Sequence, residues 1–382
     1  MTEKEILAKL VSFEILSKES NLPIIDWIST YIKSHGVDTV YVYSQDKNQA
    51  SLHCRIGPSV DGGVILSGHT DVVPAKGQPW KTNPFELVEK DGKLYGRGAC
   101  DMKGFLACFL SVLPKMVKAN LKKPIYFAFS YDEEIGCISA PELVRNILNF
   151  YPEKPKYAII GEPSMMQPIV GQKGILDVLT EVNGSEGHSS GIHKEVSAIH
   201  ESARLVLWLE NKMKSLANSI INKHFSPPYS TIHVGKFNGG IATNVVANKV
   251  TLEWEIRSIP QYTTTAILSE FEDYCRELEK EKQQLFPDFK IKNTKLHPPV
   301  PCLETNINES IVELIFEVSG NTSVSYVSYA TEAGQFAEVG LESVICGPGS
   351  IEQAHRANEY ISVAQMKLGV EMIEKIVYKL SV

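Results

Sequence analysis

The hydrophobic positions of this chain change period along its length. Up to about Gln172, short continuous apolar runs alternate with stretches of helical spacing. Gly63–Leu66 (GVIL), Pro124–Ser130 (PIYFAFS) and Tyr157–Ile160 (YAII) have strand length and little alternation, the pattern of strands buried on both faces. Leu52–Arg55 predicts a further short strand. Between these runs, Asp101–Val117 sets Phe105, Cys108, Phe109, Val112 and Leu113 at helical spacing, and Pro141–Phe150 predicts a shorter helix. The opening MTEKEILAKLVSF is charged and amphipathic. It predicts a first helix, not a secretory signal.

Beyond Gln172 the period shifts. Ile175–Val182 alternates as a half-exposed strand, Glu195–Leu216 predicts a long helix, and Ser230–Val234 and Lys249–Arg257 predict two strands. A second long helix follows over Thr264–Gln283, then a last strand over Phe289–Leu296. Strand–helix–strand–strand–helix–strand is the order of a ferredoxin-like α+β sandwich. After His297-Pro298-Pro299 the first texture resumes and closes in a helix over Val363–Leu380. The fold class expected is therefore α/β, a mostly parallel sheet flanked by helices with a ferredoxin-like domain inserted. The boundaries expected are residues 1–174 and 294–382 for the outer domain and 175–293 for the insert.

A chain of 382 residues exceeds what one core usually covers, in keeping with two domains. Its formal charge of −7 argues against a nucleic-acid footprint, which needs a basic face. No apolar run approaches the ~20 residues that span a bilayer. Seven scattered cysteines with no CxxC pair suggest neither a disulfide framework nor a zinc ribbon and fit a reducing, cytoplasmic setting.

The chemical signal lies where strands end. His69-Thr70-Asp71 follows GVILSG, Asp132-Glu133-Glu134 follows the strand run ending at Ser130, and Gly161-Glu162 follows YAII. Asp101 precedes its helix and His355 lies in the late loop GPGSIEQAH. An open α/β sheet binds ligands outside the carboxyl ends of its strands, so these groups are expected to converge. Alone, an adjacent glutamate pair is usually a solvated helix start, and an aspartate before a helix usually an N-cap. Their joint recurrence carries the reading. Two histidines and three carboxylates without a thiolate suit zinc, cobalt or manganese. Asp71 stands where it could accept the His69 N–H. Of the adjacent pair Glu133-Glu134, one carboxylate could bind metal and the other move a proton.

The segments SGHTDVVP, GRGACDMKG, SYDEEIG, GEPS and GPGSIEQAHRANEYI resemble, in order, the signature segments of the dinuclear zinc deacylases and exopeptidases. The resemblance runs through almost the whole chain. It implies two divalent metal ions, Zn²⁺ or Co²⁺, with His69 and Glu162 on one, Glu134 and His355 on the other, and Asp101 between them. It implies Glu133 as general acid/base and Asp71 as the carboxylate that orients His69. A histidine of the insert would supply the oxyanion donor; His188 and His193 both stand in GSEGHSSGIH, His188 matching the family's GHS histidine. Asn244 and Arg257 match substrate-binding positions. GPGSIEQAHRANEYI and YATEAGQF look most like the members that cleave N-acetyl-L-ornithine to L-ornithine and acetate, a step of arginine biosynthesis, though acetylcitrulline is nearly isosteric. Lys173 and Lys194 are candidate cations for a larger, acidic acyl group. Glu332 would face the substrate's cationic end or cap a helix. The partners implied are a small N-acyl amino acid and a second copy of the chain, the insert serving as lid and dimerisation domain.

Overall fold

The structure, a computed structural model, describes every residue from Met1 to Val382. The chain forms two compact units. One comprises Met1–Gly171, Leu303–Tyr326 and Thr331–Val382; the other, Gln172–Cys302 with Val327–Ala330. The inserted unit starts at Gln172 rather than 175 and runs to Cys302 rather than 293. Its end is extended because Val300 returns to the first strand of the insert, exchanging backbone hydrogen bonds of 3.0 and 3.1 Å with Ile175.

In the outer unit the main sheet runs in the order Thr39–Tyr43, Ala50–Ile56, Ile125–Ser130, Val64–His69, Tyr157–Pro163, Glu342–Gly347, Ile169–Gln172, Leu303–Glu304. The four strands from Ile125–Ser130 to Glu342–Gly347 are parallel, and antiparallel strands flank them. Val64–His69 and Ile125–Ser130 are buried at every position, as their unbroken apolar runs require. The helix Lys103–Lys118 is buried on most of its surface, with Phe105 and Phe109 against each other and Phe109 against Phe127 and Phe129. It starts two residues later than its periodicity predicts, so Asp101 is outside it. The residue at the cap is Met102, which has no side chain to cap with, so Asp101 is left for other work.

The insert has the ferredoxin-like order. Its sheet reads Thr231–Gly239, Lys249–Ser258, Gly174–Asn183, Lys290–Lys295, all antiparallel, with helices Ala198–Ser219 and Thr264–Lys282. The first helix begins later than predicted because Glu195, past the separate 3₁₀ turn Ser189–Lys194, is extended and Ser197 caps the α-helix. The strand from Thr231 runs five residues past Val234 through a bulge between Val234 and Lys236, where glycine and lysine hide the period. Leu176, Val178, Leu252, Trp254 and Phe271 form a core belonging to this unit alone.

Candidate metal centre

Parallel strands, the turn that follows one of them, and the two loops carrying Asp101 and His355 bring six side chains of the outer unit together. His69 ends its strand with the ring 1% exposed, and Glu162 lies in the next strand, also buried. Glu133 and Glu134 sit in the turn after Ile125–Ser130, opened by Asp132 at φ 53. His355 also adopts a left-handed backbone, φ 62, and its side chain is 56% exposed.

Asp101 stands between the two histidines. Its Oδ1 is 3.2 Å from His69 Nε2, and its Oδ2 is 3.4 Å from His355 Nε2. His355 Nε2 is also 2.9 Å from Glu134 Oε2, and His69 Nε2 is 3.9 Å from Glu162 Oε1. Donor atoms of His69, Asp101 and Glu134 lie within 4.8 Å of one another, as do those of His69, Glu133 and Glu162.

The electrostatics follow from this crowding. Burial pushes Glu133 up to about 8, with Glu134, Asp101 and Asp71 adding to it and His69 opposing. Burial and Asp101 raise Glu134 against the pull of His355 and His69, and burial with Asp101, Glu133 and Glu134 lifts Glu162 well above the carboxylate range. Burial alone would lower His69, yet Asp101, Glu133, Asp71 and Glu162 raise it well above its ordinary value. His355 is raised to about 10 by hydrogen bonds to Asp101 and Glu134. Burial would raise Asp101, but its bonds to both histidines hold it low. Four carboxylates thus face two imidazoles and repel one another. Such a donor set fits divalent cations, which supply the missing positive charge through oxygen and imidazole ligands.

Asp71 does less for His69 than expected and more for the glutamates. His69 Nδ1 is 2.9 Å from the main-chain oxygen of Asp71 but 3.6 Å from its carboxylate. That carboxylate instead accepts the N–H groups of Glu133 and Glu134, at 3.2 and 3.4 Å, and the Ser17 hydroxyl at 2.7 Å. The local chain explains it: two residues past the ring, the carbonyl is the nearer acceptor. Glu332 neither caps a helix with its side chain nor reaches solvent. It is fully buried and accepts the hydroxyls of Ser67, in the strand that ends at His69, and of Ser130, at the end of the strand that leads to Glu133.

The remaining candidates lie in the insert. His188 and Asn244 are exposed neighbours: the Ser189 N–H donates to the Asn244 carbonyl at 3.0 Å. The Ser190 N–H donates to His188 Nδ1 at 3.2 Å, which leaves the proton of a neutral ring on Nε2. His193 and Lys194 are exposed. Arg257 turns its fork on Glu255, at 3.0 and 3.1 Å. Lys173 is 1% exposed and donates to the Tyr229 carbonyl at 2.7 Å, so it is no open cation. The sequence reading missed Arg97, Glu359 and Gln78, which brace the Asp101 and His355 loops. The only hint was that Arg97 and Glu359 are charged residues inside two of the quoted segments; Gln78, uncharged and outside them, gave none.

Acids and histidines gathered at the carboxyl ends of parallel strands, in a sheet protein with a ferredoxin-like insert, define a metal-dependent hydrolase. The chain belongs to peptidase family M20/M25/M40, whose model matches residues 65–379. It is 30% identical over 382 residues to the acetylornithine deacetylase of Aliivibrio salmonicida, covering 98% of each chain. To the acetylornithine deacetylase of Shigella sonnei it is 32% identical over 364 residues, covering 94% of this chain and 91% of the other. Its fold superposes on an M20 family metallo-carboxypeptidase from Sulfolobus solfataricus with a TM-score of 0.77, at 17% identity and over 99% of both chains. Metal-dependent amide hydrolysis is thus the chemistry of its family. No helix is long and apolar enough to cross a membrane.

Proposed function

We propose that this chain is a dinuclear deacetylase that hydrolyses N-acetyl-L-ornithine to L-ornithine and acetate. The observation that carries the dinuclear reading is the splitting of Asp101: one oxygen faces His69 and the other His355, with Glu162 beyond the first and Glu134 beside the second. His69 and Glu162 would hold one ion and Glu134 and His355 the other, Asp101 serving both. Bound there, two divalent ions, zinc or cobalt, would activate a water and polarise the scissile carbonyl.

The chain's own groups do the rest. Glu133 stands beside this donor set without a histidine of its own, and takes the proton of the attacking water. As the carbon–nitrogen bond breaks, it returns a proton to the departing amine. Asp71 holds the Glu133–Glu134 turn through two backbone N–H groups. His188 offers Nε2–H to the oxyanion, a role for which its Ser190 contact selects the tautomer, and His193 is its alternative. Asn244 and Arg257 bind the substrate carboxylate, Arg257 exchanging Glu255 for it. The engaged Lys173 amine supports a small, uncharged acyl group over a succinyl one.

The test is an initial-rate panel of N-acetylornithine, N-acetylcitrulline, N-succinyl-diaminopimelate, N-acetylmethionine and a dipeptide, with enzyme stripped of metal and reloaded with zinc or cobalt. N-acetylornithine is expected to be preferred, metal to be required, and Glu133→Ala to lose about 10²- to 10⁴-fold in kcat. Preference for another amide would keep the chemistry and change the substrate. No metal-dependent hydrolysis of any of the five would sink the catalytic reading.

A further inference from the structure

Behind Asp101 and His355 lies a set of buried groups that the proposed reaction does not use. Glu359 is 1% exposed, and its carboxylate is met by four donors. Oε1 accepts the backbone N–H groups of Cys100 and Asp101 at 2.9 and 3.0 Å; Oε2 accepts that of Gly98 at 3.0 Å and the Arg97 guanidinium at 2.8 Å. Gly98 makes the convergence feasible. At φ 78 it turns the chain so that neighbouring N–H groups point to one anion.

Arg97, equally buried, carries the link onward. It donates to the carbonyl of Arg356 at 3.3 Å and to Gln78 Oε1, and its guanidinium lies 5.1 Å over the Trp80 ring. Gln78 in turn donates through Nε2 to the His355 carbonyl at 2.8 Å. The backbone carrying Asp101 and the backbone carrying His355 are thus tied by one chain of hydrogen bonds, Asp101–Glu359–Arg97–Gln78–His355.

The two sides of the cluster depend on this chain unequally. His69 and Glu162 sit in strands of the main sheet, and the His69 ring is held by its own neighbour's carbonyl. His355 has no strand beneath it. It is half-exposed on a left-handed backbone, and Gln78 grips its carbonyl.

We propose that Glu359, Arg97 and Gln78 are positioning residues that fix Asp101 and His355 in ligand geometry, and that Gln78 governs chiefly the affinity for the ion on the Glu134–His355 side. The inference rests on the dinuclear reading above. Glu359 acts on Asp101, which serves both ions, so its loss weakens both. Gln78 grips the His355 carbonyl directly and reaches Asp101 only at two removes, through Arg97 and Glu359, whose four donors hold without it, so its loss falls first on His355. Glu359→Gln is nearly isosteric, but its amide would put N–H against the N–H donors, so it does not rescue.

The experiment titrates metal-stripped full-length protein with Co²⁺, read by calorimetry and by the visible cobalt spectrum, for wild type, Gln78→Ala and Glu359→Gln. Wild type is expected to bind two ions. Gln78→Ala is expected to weaken chiefly one, by about 10- to 100-fold, changing chiefly that part of the spectrum, and Glu359→Gln to weaken both. Gln78 is only partly buried, so its variant decides the matter even if Glu359→Gln fails to fold. Two wild-type ions with Gln78→Ala unchanged, or with both its ions weakened alike, would overturn the inference and leave the dinuclear reading standing. A wild type that binds fewer than two ions would overturn that reading, and the inference with it.

Discussion

Glu153 is buried beneath three donors: Arg55 at 2.8 Å, Ser59 at 2.6 Å and Tyr126 at 3.0 Å. Burial alone pushes its carboxyl up, but the bonds from Arg55, Ser59 and Tyr126 win and hold it at about 2. The folded value lies below the unfolded one of about 4.3, so the unfolded chain binds the proton more readily. The stabilisation is full above the unfolded value and is lost as pH falls through about 2. Glu153→Gln should therefore be less stable than wild type near neutrality, and the gap should close in acid. Urea midpoints measured from pH 6 down to pH 2 check this; parallel curves would show that the group contributes no pH dependence. Residues at the proposed centre were legible for a different reason. His69, Glu133, Glu134 and Glu162 follow apolar strand runs, and strand ends converge. The Asp71 partner was not legible, because choosing between its carbonyl and its carboxylate takes a distance. Nor was Glu359, whose work depends on burial and on the turn at Gly98, neither of which has a period.

Where strand and helix meet, Gly161 decides how near they come. It lies in Tyr157–Pro163 beside Glu162, and a Cβ built on it would fall 1.9 Å from the Phe105 ring. That ring belongs to the helix Lys103–Lys118, which follows directly on Asp101, so the same approach brings Glu162 and Asp101 into one cluster. Gly161→Ala must push a packed aromatic ring aside and is expected to cost about 1–3 kcal/mol. Gly191→Ala, where a Cβ would meet nothing within 4 Å, is the control and should stay within about 0.5 kcal/mol of wild type. Chemical denaturation of the two variants tests the contrast; equal stabilities would mean that the helix yields without cost. At this scale the sequence pattern located every element it named and erred at their ends. Apolar runs and helical spacing marked the middles, whereas caps such as Ser197, the 3₁₀ turn Ser189–Lys194 and the bulge after Val234 rest on single polar or glycine contacts.

Two separate apolar clusters, one per unit, explain why the whole chain reads as one period interrupted by another. The interruption leaves a feature that a single copy does not resolve. Thr231–Gly239 is an edge strand of the inserted sheet, paired on one side only, and an open edge invites another strand. Phe237 on that strand is 42% exposed, and Ile241, just beyond it, is 83% exposed. The helix Ala198–Ser219 packs beside the strand and exposes Leu207. A second copy related by a two-fold axis would pair edge with edge and cover these side chains together, since an isologous contact uses the same patch twice. We therefore expect a homodimer through the insert. Charge placed on the patch should separate it: Ile241→Lys combined with Phe237→Lys should sediment as a monomer at concentrations where wild type is a dimer. The substitutions lie outside the apolar core of the insert, so its fold should survive, and an unchanged circular dichroism spectrum would confirm that. A wild type that sediments as a monomer, or a double variant that stays dimeric, would place the contact elsewhere or remove it.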